Sequence, residues 1–234
     1  MLLGFISDLH ATIDPVRRSV ERLRDIGVKQ IYCIGDICGY GHQLNQVIDY
    51  LRDNKIKSIC GNHDRWIIKQ AGNTWDSNPV KVWDYSKGSF DLIEISDANK
   101  HYISGLPASI RFSVDNSEIL LVHAEPPDVD DSEGIQLLDY NTGNINEFVK
   151  DWWEGELIRY DFDVLVVGHT HQSFAHRFGD KLVINPGSTL FNGTYCYLDT
   201  DKLSVKHEYI YDSNQELVNM WTSNGIDKRW MKEL

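Results

Sequence analysis

The stretch Ile56-Lys57-Ser58-Ile59-Cys60-Gly61-Asn62-His63-Asp64 sets a pattern that the rest of the chain repeats. A short apolar run stops at a glycine, and an amide, an imidazole and a carboxylate follow at once. This order is typical of a buried strand that carries polar chemistry at its C-terminal end. Other apolar runs lead in the same way to Asp8 and His10, to Asp36, to His123, and to His169 and His171. The sequence therefore predicts five strands, each ending at a side chain able to bind a metal ion.

The first 64 residues predict a β-α-β-α-β unit. Apolar residues recur at helical spacing in the segment 16–26, which Gly27 ends, and again in the segment 44–51. Strands that alternate with helices of this length are joined by crossover connections. We therefore expect this part of the chain to form a parallel sheet.

The remainder of the chain predicts fewer crossovers and more hairpins. The segment 66–99 is rich in aromatic residues and has a helical pattern. We expect its aromatic side chains to pack helices on the sheet, although lining a substrate recess is the open alternative. Strands are expected at 101–107, 110–114, 118–122 and 163–168, hairpins at 174–185 and 194–210, and a last helix at 215–223. The predicted fold class is α/β, with two packed mixed β-sheets flanked by helices.

Length and composition limit the number of domains and the kinds of partner. We expect a single domain over 1–234, because α/β domains of 234 residues are ordinary. The acidic segment 125–156 is a candidate lid or specificity insert, with a long surface loop lacking any role as the alternative. The formal charge of -12 disfavours binding to a nucleic-acid duplex or to an anionic membrane.

The same data favour a cytoplasmic location. The N-terminus offers no signal-peptide core, and no apolar run approaches the ~20 residues that span a bilayer. The four cysteines contain no CxxC pair, so we expect reduced thiols in the core rather than disulfides or a zinc site.

The side chains at the five strand ends form a donor set for divalent metal ions. Carboxylate, amide and imidazole ligands without thiolate suit manganese, iron, zinc or magnesium. The set is too large for one tetrahedral site, so we expect two metals that share an anionic ligand. Its eight members are Asp8, His10, Asp36, Asn62, His63, His123, His169 and His171. The other four histidines, at 42, 101, 176 and 207, have no donor-rich strand end around them, and we assign them no role.

The motifs Asp8-Leu9-His10, Gly35-Asp36, Gly61-Asn62-His63-Asp64, His123 and Gly168-His169-Thr170-His171 resemble those of the calcineurin-like metallophosphoesterases. Asn185-Pro186-Gly187-Ser188 extends the resemblance to the smaller bacterial and archaeal phosphodiesterase-type members. The resemblance implies one metal held by Asp8, His10, Asp36 and His171, and a second held by Asp36, Asn62, His123 and His169. Asp36 is then the bridge.

The resemblance also implies roles for residues that bind no metal. His63 faces the scissile phosphate, and Asp64 orients the His63 ring. Arg65 is a candidate phosphate contact, with a plain surface arginine as the equal alternative. Two departures stand out: Ala11-Thr12 follows His10 where the family commonly has Gly-Asn, and the Asp-Arg-Gly of the Ser/Thr protein phosphatases is missing after Asp36. A protein phosphatase is therefore disfavoured.

The expected function is metal-dependent hydrolysis of a phosphodiester or small nucleotide, with manganese as the favoured metal. Two close cations lower the pKa of a bridging water, and the resulting hydroxide attacks phosphorus in line. His63 gives a proton to the leaving oxygen. A phosphomonoesterase or nucleotide pyrophosphatase on the same core, and a non-catalytic scaffold with this fold, are the alternatives. The expected partner is a small phosphorylated substrate.

Overall fold

Helices and strands alternate in the first third of the chain, and strands dominate after it. The structure is a computed structural model that describes residues 1–72, 79–84, 89–124, 155, 157 and 160–226. Along the described chain the principal elements are β1 (Leu2–Ile6), α1 (Ile13–Asp25), β2 (Gln30–Cys33), α2 (Leu44–Asp53), β3 (Lys57–Ser58), α3 (Asn62–Ala71), β4 (Val80–Asp84), β5 (Ser89–Ile93), α4 (Asp97–Ser104), β6 (Ser109–Val114), β7 (Ser117–Val122), β8 (Val164–Val166), β9 (Phe174–Phe178), β10 (Lys181–Asn185), β11 (Thr194–Asp199), β12 (Ser204–Tyr209) and α5 (Asn214–Ser223).

Two five-stranded mixed sheets form the frame of the protein. The first has the strand order β12-β11-β1-β2-β3 and the second the order β6-β7-β8-β10-β9. The strands β1, β2 and β3 are parallel to one another, as are β7, β8 and β10, while β11, β12, β6 and β9 each pair in antiparallel fashion with their neighbours. Parallel strands present their carboxyl ends at the same edge of a sheet, which is where ligands collect. The predicted fold class is confirmed.

The two faces of the first sheet pack against different partners, because successive side chains of a strand point to opposite faces. Phe5 of β1 lies in the apolar layer between the sheets, together with Leu121 of β7 and Val166 of β8. Ile6, the next residue, belongs to the apolar cluster that contains the buried faces of the helices. Gly4 allows α1 to pack closely, since a Cβ atom there would lie 2.9 Å from a methyl group of Leu23.

The stretch of chain from residue 66 to residue 107 differs from the sequence prediction. The segment 66–99 is not wholly helical, because α3 ends at Ala71 and the described residues that follow include the hairpin β4–β5. The strand predicted at 101–107 is wrong, since residues 101–104 form the end of α4. The Ser96 side chain caps this helix by accepting a hydrogen bond from the N–H of Asn99.

The cysteines agree with the sequence prediction, whereas the segment 125–156 lies almost wholly outside the described residues. Cys33, Cys38, Cys60 and Cys196 are all described, and each is a buried free thiol, as expected. The candidate lid at 125–156 lies outside the described residues apart from residue 155, so its role stays a prediction, as does the single domain over 1–234. Within the described ranges, no helix has the length and apolar character needed to cross a bilayer.

Candidate metal centre

The side chains that follow the parallel strands converge at one edge of the two sheets. Within the described part of the chain, three overlapping groups have ligand atoms that all lie within 4.8 Å of one another. The groups are Asp8, His10 and His171; His10, Asp36 and His63; and Asp36, His123 and His169. The first and third correspond to the two ligand sets expected from the sequence, and they combine residues from both sheets.

The first group places two imidazole nitrogens and a carboxylate oxygen around one point. His171 Nε2 lies 3.2 Å from His10 Nε2 and 3.4 Å from Asp8 Oδ1. His10 Nδ1 lies 3.1 Å from the carbonyl oxygen of Cys38, which can only accept a hydrogen bond, so Nδ1 carries the proton. Burial lowers the pKa of His10 to about 3, and the nearby His63 adds to the shift. The neutral ring therefore turns an unprotonated Nε2 towards the other two ligands, as metal-binding histidines do.

Two histidines of the third group, His123 and His169, lie around the amide oxygen of Asn62. Together with Asn62 they form the second of the two ligand groups. Asn62 Oδ1 lies 2.8 Å from His169 Nδ1 and 3.1 Å from His123 Nε2. The other His123 nitrogen, Nδ1, lies 2.6 Å from the carbonyl oxygen of Ile34, again fixing the ring. Burial by itself lowers the pKa of His123, but the carboxylate of Asp36 outweighs it and raises this pKa to about 10. A metal bound here would displace the proton on His123 Nε2.

Asp36 connects the two groups. It shares a cluster with His10 and another with His123, and its side chain is only 2% exposed. Burial favours the neutral acid, but His123 and the other histidines outweigh it and hold the pKa of Asp36 well below its usual range. Among the described residues, no lysine or arginine forms an ion pair with Asp8 or Asp36. Two buried carboxylates without basic partners of this kind, facing imidazole nitrogens, fit a pair of divalent cations.

Most of the predicted ligands occupy an unusual backbone conformation. The φ angles are 52° at Asp8, 44° at His10, 50° at Asp36, 67° at His169 and 61° at His171. Residues other than glycine adopt such left-handed angles in only a few per cent of cases, and they concentrate at functional sites. The turns after the strands therefore aim these side chains inwards.

The comparison with known proteins agrees with this geometry. Residues 1–203 match the calcineurin-like phosphoesterase superfamily domain. The chain belongs to this superfamily. A curated relative, the uncharacterized protein MJ0912 of Methanocaldococcus jannaschii, is 24% identical over 202 residues, which cover 86% of this chain and 72% of the relative. The family is described as one of phosphoesterases, which are hydrolases of phosphoric esters.

Two solved structures share the fold of this chain. A metallophosphoesterase from Sphaerobacter thermophilus has a TM-score of 0.68 at 20% identity, covering 100% of this chain and 97% of the other. The hypothetical protein PH1004 from Pyrococcus horikoshii has a TM-score of 0.67 at 17% identity, covering 99% and 96%. At these identities the likeness establishes the architecture of two mixed sheets with flanking helices.

The loops that carry the ligands are held by residues to which the sequence analysis assigned no role. Ser188 Oγ donates a hydrogen bond to the carbonyl oxygen of Asp8 at 2.8 Å. Asn185 Nδ2 donates to the carbonyl oxygen of Gly168 at 2.8 Å and to Thr170 Oγ1 at 3.1 Å. Asn185 is the last residue of β10, the parallel neighbour of β8, and Pro186-Gly187-Ser188 follow it. This placement at the end of a strand is the signal that could have revealed the role.

His63 lies beside the two ligand groups and is partly exposed. Its Nε2 atom is 4.0 Å from Asp36 Oδ2, and its side chain is 14% exposed. The ring lies between two aromatic rings, with centroids 4.7 Å away for Tyr40 and 4.6 Å away for Trp66. The position at the open side of the centre suits a residue that meets the substrate.

Asp64 does not contact the His63 ring, so the predicted orienting role of Asp64 is wrong. Its Oδ1 accepts a hydrogen bond from the N–H of Cys38 and its Oδ2 from the N–H of Gly61, both at 2.8 Å. Burial raises the pKa of Asp64, and the charge on Asp36 raises it further. The carboxyl group therefore ties the loop after β2 to the start of α3. Arg65 reaches the carbonyl oxygen of Cys60 at 3.4 Å, and its contact with phosphate stays a prediction.

Proposed function

We propose that this chain is a dinuclear metal-dependent phosphoesterase that hydrolyses a phosphodiester or a small nucleotide. The observation that carries the proposal is the membership of Asp36 in clusters with residues of both ligand groups. A short, buried and ionised carboxylate in this position suits a ligand shared by two cations. Manganese is the favoured metal, with iron, zinc and magnesium as alternatives, because the donor set contains nitrogen and oxygen but no thiolate.

The chain's own residues supply binding, charge balance and a proton. Asp8, His10, Asp36 and His171 would hold one metal, and Asp36, Asn62, His123 and His169 the other. When bound, two divalent ions lower the pKa of a water molecule and polarise the phosphoryl oxygens. His63, next to this centre and partly exposed, is placed to donate a proton from its imidazole to the leaving ester oxygen.

The charge at the centre favours anionic substrates although the protein as a whole is acidic. The chain has a formal charge of -12, which repels anions at long range. Two divalent cations would exceed the charge of Asp8 and Asp36, so the local field would attract a phosphate ester. The proposed partner is thus a small phosphorylated molecule, and the cytoplasm remains the predicted location.

Reconstitution with single metals tests the proposal. Metal-free protein would receive manganese, zinc, iron or magnesium and then bis(4-nitrophenyl) phosphate or 4-nitrophenyl phosphate. We expect turnover of the diester with at least one metal, exceeding turnover of the monoester. Faster hydrolysis of the monoester would favour a phosphomonoesterase on the same core. If no metal supports hydrolysis of either ester, the scaffold becomes the better reading.

A further inference from the structure

A recess opens directly beside the metal centre. It has a volume of about 380 Å³ and is lined by residues that include Tyr40, His63, Trp66, Lys81 and Phe90. His63 belongs both to this wall and to a cluster with Asp36, so the recess continues from the position where a phosphate would react. Its size falls within the range of about 300–1,000 Å³ that is usual for small-ligand pockets.

The walls of the recess expose large aromatic side chains. Trp66 is 48% exposed and Phe90 is 64% exposed, so the expectation that these residues pack helices on the sheet is wrong for both. Trp66 is held in place from one side by the ring of His63, whose centroid is 4.6 Å away. Isolated exposed aromatics are common and need no explanation. Trp66 and Phe90, however, line one recess beside a reaction centre, so both offer apolar surface to the same ligand.

The lining of the recess also contains buried apolar residues and an exposed lysine. Ile67 of α3 and Val82 of β4 are buried apolar residues that form part of the lining. Lys81, the neighbour of Val82, is exposed and lines the same recess. A planar apolar group could rest between the aromatic rings while the lysine attracts an adjoining anionic or polar part. A heterocyclic base attached through a sugar to a phosphate has this combination of properties.

We propose that this recess is a base-binding subsite and that the substrate is a nucleotide ester whose base stacks on Trp66 and Phe90. The inference rests on the proposed function, since it places the phosphate of the same molecule at the metal centre. Stacking of a base on aromatic side chains is sequence-tolerant, because every base presents a π-face. The subsite therefore selects nucleotides over other phosphate esters more strongly than it selects one base over another.

Equilibrium binding of two matched ligands tests the subsite without requiring turnover. AMP and ribose 5-phosphate would be titrated calorimetrically into manganese-loaded protein, since ribose 5-phosphate carries a hydroxyl group where AMP carries the base. We expect AMP to bind about 5- to 150-fold more tightly, the range that stacking of one base typically supplies. In Trp66→Ala this ratio should fall several-fold and leave only the part that Phe90 supplies, whereas Trp66→Phe should keep most of it. Equal affinities in the unmodified protein, or an unchanged ratio in Trp66→Ala, would overturn the inference.

A control and a second assay separate this inference from the proposed function. Tyr209, on β12, is 67% exposed and does not line the recess, so Tyr209→Ala should leave the ratio unchanged. The same preparations would be assayed with bis(4-nitrophenyl) phosphate. Turnover without a preference for AMP would reject the base subsite and keep the phosphoesterase. A preference for AMP without turnover would keep the subsite and reject hydrolysis.

Discussion

The metal centre and the adjoining recess are built in opposite ways. Asp8, His10 and His123 are at most 1% exposed, and backbone groups hold both histidine rings. Trp66 and Phe90 are about half exposed or more, and they come from α3 and from the hairpin β4–β5. The centre is as buried as an apolar core but is made of polar side chains, whereas the recess is a surface with exposed aromatic side chains. The difference indicates that changes in the centre should affect metal binding and reaction, and changes in the recess should affect substrate choice.

Asp36→Asn should have the largest effect. The substitution keeps the size of the side chain and suits the left-handed backbone, since asparagine is enriched there. It removes the shared charge, so we expect turnover to fall by more than about 10⁴-fold, because charge stabilisation and activation of water are lost together. Metal content per chain should fall in parallel when measured by elemental analysis. A variant that retains two metals and activity would show that the centre does not depend on this carboxylate.

His63→Ala should lower turnover without emptying the centre. General acid catalysis usually contributes about 10² to 10⁴ in rate, and the loss should be largest for esters with poor leaving groups. Metal content should match that of the unmodified protein, since His63 is not one of the seven proposed ligands. Comparable losses for bis(4-nitrophenyl) phosphate and for a dialkyl phosphate would argue against proton donation by this residue.

Gly61→Ala tests how tightly the centre is packed. Its φ of -95° suits any residue, but an added Cβ would clash with Oδ1 and the backbone nitrogen of Asp36. Overpacking of this kind costs about 1–3 kcal/mol, which denaturant unfolding of the metal-free protein would measure. Gly105→Ala is the matched control, because the nearest atom to its Cβ is 3.3 Å away. Equal stability of the two variants would mean that the loop holding Asp36 moves easily.

Phe90→Ala should have the smallest effect and confine it to the ligand. Phe90 is more exposed than Trp66, so we expect the preference for AMP over ribose 5-phosphate to fall about 2- to 10-fold, as one aromatic contact contributes. Hydrolysis of bis(4-nitrophenyl) phosphate is the companion measurement. If the hydrolysis rate fell by a larger factor than the preference for AMP, the idea that the centre governs the reaction and the recess governs substrate choice would be wrong.

The contrast between the two regions also explains why the sequence predicted the metal ligands but not the recess. All seven proposed ligands follow strands, and a strand end is a local pattern that one sequence displays directly. The recess depends on β4–β5, where Val80 and Val82 are buried and Lys81 is exposed. This alternation is too short to outweigh the helical pattern inferred for the segment 66–99, although aromatic residues are enriched in strands. Asp64 shows another limit, because its bonds to Cys38 and Gly61 depend on two loops meeting in space.

The left-handed backbone at five of the seven ligands has a consequence for the evolution of the protein. Each such residue costs roughly 1 kcal/mol or more relative to a relaxed conformation, whereas glycine adopts these angles freely. Selection for stability in the absence of metal should therefore favour glycine at Asp8, Asp36 or His169. Retention of the aspartates and the histidine at these positions would have to come from the demands of the reaction. Stability without metal and metal chemistry therefore favour different residues at the same positions.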